Sequence, residues 1–112
     1  MDRSTQESGD ILVVTVNEDR IDAAVAIKFK DQMRDLTMQG PSRIILDLGR
    51  VEFIDSSGLG AIVASMKQLG DKRALELASL SPTVEKVFRL TRMDTVFKLH
   101  ASAEEALSAH AG

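Results

Sequence analysis

The chain has 112 residues, of which 44% are hydrophobic and 28% charged, and its formal net charge is −3. This length predicts one domain with its own core, and the acidic balance gives no general attraction to nucleic acids or anionic membranes. The absence of cysteine excludes disulfides and thiolate metal sites and fits a reducing cytoplasm. The first residues lack the apolar region of a signal peptide, and no apolar run approaches membrane-spanning length. We therefore expect a cytoplasmic protein that binds neither nucleic acid nor membrane.

The first 20 residues predict a hairpin and a loop. Residues 8–10, Ser-Gly-Asp, are a turn signal, so residues 1–6 are either disordered or form an edge strand before the turn. Ile11–Val16 is rich in β-branched residues, which favour a strand. Residues 17–20 are polar and predict a loop.

A helix is predicted from Ala23 to about Met38, with Asp22 as its N-cap. Apolar residues at helical spacing form its core stripe: Val25, Phe29, Met33 and Leu36. Ile27 falls on the opposite side, where it is either a scattered surface residue or part of a partner-binding patch. The basic residues on that side are interpreted as a solvated face, balanced by nearby aspartates: Lys28, Lys30 and Arg34.

A short apolar run at residues 44–48 lies between Pro41 and Gly49. Its length and branched residues predict a strand that is buried on both faces of a parallel sheet. Asp47 lies inside this strand, so it needs a polar partner or a place at a sheet edge.

An amphipathic helix is predicted up to Leu69, because apolar residues recur at helical spacing and Gly70 supplies a stop. Its predicted apolar stripe is Leu59, Ile62, Val63 and Met66. The triplet Asp55, Ser56 and Ser57 therefore lies at the helix start, where backbone N–H groups lack internal partners and favour negative charge. One cap needs only one such residue, so ordinary capping and a functional site both remain open.

The C-terminal third predicts a strand over residues 74–80, a helix, a strand over residues 95–99 and a closing helix. The first of these helices begins at Ser81, a capping residue followed by proline, and Ser102 and Glu105 form a capping box for the second. The predicted inward-facing residues of the two helices are Val84, Val87, Phe88, Ala103, Ala106 and Leu107. Strands that alternate with helices predict an α/β fold: one small mixed, largely parallel sheet packed against about four helices.

Residues 51–60, Val-Glu-Phe-Ile-Asp-Ser-Ser-Gly-Leu-Gly, together with the strand before them, resemble the signature of the STAS domain. More narrowly, they resemble the bacterial anti-sigma factor antagonists. The resemblance extends from about Ile11 to Ala109 and implies one STAS domain over residues 1–112. In that family the first serine of the motif, here Ser56, is phosphorylated by a partner kinase and dephosphorylated by a PP2C-type phosphatase.

The resemblance implies a partner-switching role. The unphosphorylated form binds an anti-sigma factor that is also a serine kinase of the histidine-kinase-like ATPase type, and this binding frees the sigma factor. Phosphorylation then releases the kinase. The implied partner-binding residues are Asp22, Ile27, Asp55, Ser56, Ser57, Gly58 and Leu59.

Ser56 rather than Ser57 is the predicted phosphate acceptor. Besides the resemblance, Ser56 lies at or just before the first helical residue and can project towards a partner. Ser57 lies about 100° further around the helix axis, where its hydroxyl can bond a free backbone N–H. The alternative is that both serines only cap the helix. Because a helix N-terminus favours anions, we expect the fold to survive a phosphate on Ser56.

Other interpretations were weighed against the switch. Asp19 and Arg92 stand where antagonists often carry glycine, and the extra acid leaves the identity of the partner open. The rival is a STAS binding or scaffold module for a partner in secretion, motility, a stress complex or a transporter. An enzyme is disfavoured, because the sequence shows no nucleophile elbow, no metal-ligand spacing and no orienting group near His100 or His110. No cofactor is predicted.

Overall fold

A mixed β-sheet forms the centre of the computed structural model, which describes residues 1–111 and the side chains of residues 1–109. The strands are β1 (Arg3–Ser8), β2 (Ile11–Val16), β3 (Arg20–Ile21), β4 (Arg43–Asp47), β5 (Phe53–Ile54), β6 (Ala74–Ala78) and β7 (Leu99–His100). The helices are α1 (Ala23–Thr37), α2 (Ser56–Leu69), α3 (Pro82–Leu90) and α4 (Ala103–Ala111), with a short 3-10 helix at Met93–Thr95.

Five strands form one sheet in the order β1-β2-β4-β6-β7, and β3 pairs separately with β5. β1 runs antiparallel to β2, whereas every other pair is parallel. The expected α/β fold, with a small and largely parallel sheet and about four helices, is therefore confirmed. Of the two alternatives for the N-terminus, Arg3–Ser8 adopts the edge strand.

Alternate residues of β4 face two different layers. Ile44 and Leu46 pack into the larger core, to which α1, α2 and α3 contribute, while Ile45 packs on the opposite face with Ala106 of α4. Both faces of the strand are covered, which is why its sequence is a continuous apolar run. Asp47 ends the strand and accepts a hydrogen bond from the Gly49 N–H at 2.9 Å, so the next loop supplies its polar partner.

The predicted helix starts are confirmed, and the predicted core stripes are confirmed in most positions. Ser81 and Ser102 each accept a hydrogen bond from the backbone N–H three residues on, at 3.3 and 3.1 Å. In α1 and α3 the predicted stripes are buried, except that Val25 and Val87 are half-buried.

The buried face of α2 differs from the predicted stripe. Three of its predicted members are only half-buried: Leu59, Val63 and Met66. The helix packs against α1 as well as against the sheet, so the small residues Ala61 and Ser65 are buried with Ile62. The Ser65 hydroxyl donates to the Ala61 carbonyl oxygen at 2.9 Å, which satisfies it inside the core.

The strand expected over residues 95–99 is wrong in position. Met93–Thr95 is a 3-10 helix, and β7 begins only at Leu99. Arg92 turns the chain there with a left-handed backbone, φ 60°, a conformation that glycine adopts most readily. Phe97 then packs edge-on against Phe88, with ring centroids 6.0 Å apart, so an apolar residue reaches the core from a turn and not from a strand.

Two short strands were not predicted. β3 includes the end of the segment interpreted as a polar loop, and β5 lies between the predicted buried strand and the predicted helix that follows it. Two residues are too few to show the alternation that identifies a strand, and their pairing joins segments far apart in the sequence. These two strands matter because their pairing places the N-termini of α1 and α2 beside each other.

A buried ionic network ties α4 to the sheet. Arg43 donates two hydrogen bonds to the Glu76 carboxylate, at 2.8 and 2.7 Å, and one to the Ala106 carbonyl oxygen at 2.8 Å. His100 Nε2 lies 2.5 Å from the same carboxylate. The hydrogen bonds from Arg43, with a smaller contribution from His100, lower the pKa of Glu76 to about 2, although burial opposes this shift.

Glu76 should stabilise the fold only while it is ionised. Its pKa of about 2 in the folded protein is below the ordinary value, so its contribution is complete above about pH 4.3 and is lost as the pH falls towards 2. We expect Glu76→Gln to lower the free energy of unfolding at neutral pH by about 3 kcal/mol, because Arg43 is left buried without a counter-charge. The difference from wild type should shrink by about half near pH 3 in urea unfolding.

The control is Glu85→Gln, which breaks the exposed pair between Glu85 and Arg89, 3.3 Å apart. An exposed pair contributes about 0–1 kcal/mol, so this variant should remain close to wild type at both pH values. Equal losses in the two variants would contradict a special role for the buried network.

Candidate functional site

Two strand–helix units of the same design lie side by side. β3 and β5 pair in parallel with this register: Arg20 with Phe53 and Ile21 with Ile54. Each strand leads directly into an aspartate and then a helix, Asp22 before α1 and Asp55 before α2. The two aspartates therefore occupy the next position of the same register, and the two helix N-termini begin beside each other.

Both aspartates are helix caps. The Asp22 carboxylate accepts a hydrogen bond from the Val25 N–H at 3.2 Å, and the Asp55 carboxylate accepts one from the Gly58 N–H at 2.9 Å. Both side chains are half-buried at the start of their helices. The predicted capping by Asp22 is confirmed. In α2 the cap is Asp55 alone, so the two serines that follow are not needed for this purpose.

Gly58 lets α2 approach β3 at very short range. A Cβ at this position would lie 2.2 Å from the Ile21 carbonyl oxygen and 2.9 Å from Ile21 Cγ2, so any side chain would displace the helix or the strand. Gly60 is different, because a Cβ there would meet nothing within 4 Å. Packing against β3 therefore requires Gly58, whereas Gly60 leaves open space on the surface of α2.

Ser56 and Ser57 are the first two residues of α2, and both are exposed. Within the part of the chain that the structure describes, neither their hydroxyls nor their backbone N–H groups have a hydrogen-bond partner. The expectation that the Ser57 hydroxyl bonds a free backbone N–H is therefore wrong, because Asp55 already serves as the cap. Both hydroxyls are free, and the choice of Ser56 rests on the resemblance to the family motif.

A shallow depression lies between α1 and α2 beside the two serines. Small side chains form most of its lining: Ala23, Ala26, Ser56, Ser57, Gly60 and Ala61. Ile27 and Lys30 of α1 complete it, and Ile27 is 67% exposed. Leu59 does not line this depression, since it is half-buried and packs against the main core. The structure thus brings together every predicted partner-binding residue at one end of α1 and α2, with Leu59 as a support.

The strands beside the site place Arg20 and Phe53, which the sequence analysis did not single out, next to Asp19, which it did. The Arg20 guanidinium lies 5.5 Å from the centroid of the Phe53 ring, a cation–π distance, and Phe53 is 45% exposed. Asp19 is exposed, and its carbonyl oxygen accepts the Glu52 N–H at 2.7 Å, which extends the β3–β5 pairing. Sequence reasoning could have found Phe53, because it is an aromatic residue only three positions before Ser56. Lys30 lies beside the serines only because α1 packs on α2, and no pattern in the neighbouring sequence predicts this.

Metal and membrane sites find no support in the described residues. No three His, Asp or Glu residues of that part of the chain form a group that could hold a metal ion. None of its helices is both long enough and apolar enough to cross a bilayer.

Separate alanine substitutions of the two glycines should have opposite effects on stability. We expect Gly58→Ala to lower the free energy of unfolding by about 2 kcal/mol or more, because its methyl group meets the backbone of β3. Gly60→Ala has open space and should raise stability by up to about 1 kcal/mol, because alanine favours the helix. Urea unfolding of the two variants measures both changes, and a similar loss in each would contradict the packing role of Gly58.

Known proteins share this fold. A family model for the STAS domain matches residues 2–106. BtrV of Bordetella bronchiseptica, described as an anti-sigma factor antagonist, is 28% identical over 106 residues, which cover 94% of this chain and 91% of that protein. Structures of anti-sigma factor antagonists from Mycobacterium paratuberculosis and Thermotoga maritima superpose with TM-scores of 0.87 and 0.86, at 25% and 30% identity, each over 96% of this chain and 92% of theirs. The chain therefore belongs to the STAS domain family, and several of its relatives are named anti-sigma factor antagonists.

Proposed function

We propose that this protein is an anti-sigma factor antagonist that is switched by phosphorylation of Ser56. The observation that carries this proposal is an exposed serine hydroxyl, free of hydrogen bonds, at the N-terminus of α2 directly after the capping Asp55. A kinase needs such an accessible hydroxyl in line with the γ-phosphate of ATP. In its unphosphorylated form the protein binds an anti-sigma factor and frees the sigma factor.

The bound anti-sigma factor is also the kinase, of the histidine-kinase-like ATPase type, and a PP2C-type phosphatase resets the switch. Support comes from the intact Asp-Ser-Ser-Gly motif in a chain whose relatives are anti-sigma factor antagonists. The binding surface includes Ser56 and the residues around it: Asp22, Ile27, Asp55, Ser57 and Gly58. Leu59, which is half-buried, is the remaining proposed binding residue.

A phosphate on Ser56 changes charge and leaves the fold intact. It adds about 1.5 to 2 negative charges and three acceptor oxygens beside the free N–H groups of the first turn of α2, where anions are stabilised. The carboxylates of Asp22 and Asp55 already lie at this end of the two helices. The added charge therefore opposes a partner surface that is apolar or acidic, and the switch acts through local electrostatics with little refolding.

The protein acts by binding and not by catalysis, in the cytoplasm where transcription is regulated. His100 is the histidine whose side chain the structure describes, and it contacts Glu76 in the network that holds α4 on the sheet. Ser56 begins α2, which packs against the other layer with α1. Among the described side chains, this arrangement gives Ser56 no histidine base of the kind that a serine nucleophile needs.

Phosphorylation should occur on Ser56 and not on Ser57. After incubation with ATP and the cognate kinase, intact mass should show one added phosphate on wild type and on Ser57→Ala, and none on Ser56→Ala. Both serines are exposed and free of hydrogen bonds to described residues, so Ser57→Ala is a matched control for loss of a hydroxyl at this helix start. Phosphate on Ser56→Ala, or none on wild type with an active kinase, would refute the assignment.

Asp22 should matter for kinase binding more than for stability. Asparagine caps a helix about as well as aspartate, so Asp22→Asn should change the free energy of unfolding by less than about 0.5 kcal/mol. The same variant should bind the kinase more weakly in calorimetric titration, because an amide replaces a carboxylate oxygen that can accept a hydrogen bond from the partner. Asp19→Asn is the control, since this exposed acid caps no helix. Equal affinity of wild type and Asp22→Asn would mean that Asp22 is only a cap.

A further inference from the structure

We propose that Lys30 binds the phosphate once Ser56 is phosphorylated, which draws the phosphate into the depression between α1 and α2 and closes it. This inference rests on the proposed function, because it concerns the regulation of the same site. It assigns to Lys30 the role of an intramolecular counter-ion. The sequence alone gave Lys30 only a place on a solvated face.

Lys30 is the one charged residue among those that line the depression, where it stands with Ser56 and Ser57. The two capping carboxylates, Asp22 and Asp55, are absent from this lining. A phosphate on Ser56 therefore lies between two carboxylates at the ends of β3 and β5 and the ammonium group of Lys30 in the depression. Repulsion from the former and attraction to the latter act in the same direction.

The helix geometry allows this contact. β3 and β5 run in parallel and each leads directly into its helix, so α1 and α2 start at the same level. Lys30 is seven residues after Ala23, which is about 10 Å along α1 at 1.5 Å per residue. Helical side chains tilt towards the N-terminus, so the flexible lysine stem leans back towards the level of Ser56. Ser56 and Lys30 both line the depression between the two helices.

Lys30 is available for this role in the unphosphorylated protein. It is exposed and forms no ion pair with any residue whose side chain the structure describes. Its neighbour Arg34 is different, because its guanidinium already pairs with the Asp31 carboxylate at 2.9 Å. A basic residue next to the serines is thus unoccupied, while the next one along α1 is neutralised.

The contact would give phosphorylation a second effect besides added charge. A phosphate held by Lys30 lies over the small residues Gly60 and Ala61, next to the exposed Ile27. The depression that a partner side chain could enter is then filled by the protein's own phosphate. Release of the partner would follow from a blocked surface as well as from repulsion.

Phosphorus-31 NMR titration tests this contact without a kinase or a partner. Phosphoserine is placed at position 56 during translation, in wild type and in Lys30→Gln, Lys30→Arg and Lys28→Gln. The second pKa of a phosphoserine is about 6, and a bound cation lowers it by favouring the dianion. The phosphate should therefore titrate at lower pH in wild type, Lys30→Arg and Lys28→Gln than in Lys30→Gln. Lys28 is a matched control, because it is exposed on the same helix but does not line the depression.

Equal titration of the phosphate in wild type and Lys30→Gln would overturn the proposal, and so would an equal change in Lys28→Gln and Lys30→Gln. Concentrated salt should reduce the difference in phosphate pKa between wild type and Lys30→Gln, since an exposed ion pair is screened. No kinase is used in this titration. If the titration shows no contact with Lys30, phosphorylation of Ser56 by the kinase is still tested separately by the intact-mass measurement. Conversely, the contact between Lys30 and the phosphate can be observed even if the kinase does not phosphorylate Ser56, so the two proposals fail separately.

Discussion

The close contact between Gly58 and Ile21 is the constraint on which the site depends. A glycine in the first turn of α2 lets the helix lie against the backbone of β3, and β3 in turn pairs with β5 just before α2 begins. Two helix starts are thereby fixed next to each other, and Asp22 and Asp55, which are far apart in the sequence, follow paired positions of one register. Neither short strand could hold this arrangement alone, since two residues of pairing contribute little without the packing of α1 on α2.

Asp55 alone caps α2, so the two serines that follow it remain available for modification or binding. Asp55 satisfies the third N–H of α2, so the serines at the first two positions keep their hydroxyls and N–H groups unengaged. An anion placed there meets the positive end of the helix and does not compete with the cap. A regulatory charge can therefore be added or removed at this place without melting the first turn, which suits a surface that must switch repeatedly.

Stability is supplied mainly by parts of the protein away from this surface. The larger core lies between the sheet and three helices, and on the opposite face the network of Arg43, Glu76 and His100 holds α4 against the sheet. A charge at the start of α2 is separated from that network by the sheet itself. The fold can thus remain constant while the electrostatics of the α1–α2 end change.

The sequence by itself determined the class of fold, the order of its main elements, the helix caps and the motif at the start of α2, because these are encoded by local spacing and by residue type. Only the tertiary structure decided where the short β3 and β5 strands pair, why Gly58 and Gly60 differ, and that Lys30 stands beside the serines. It also moved the last strand, because Arg92 adopts a left-handed backbone and Phe97 enters the core from a turn. The strand pairing, the close approach at Gly58 and the place of Lys30 arise from contacts between segments distant in the chain, and local periodicity carries no information about such contacts.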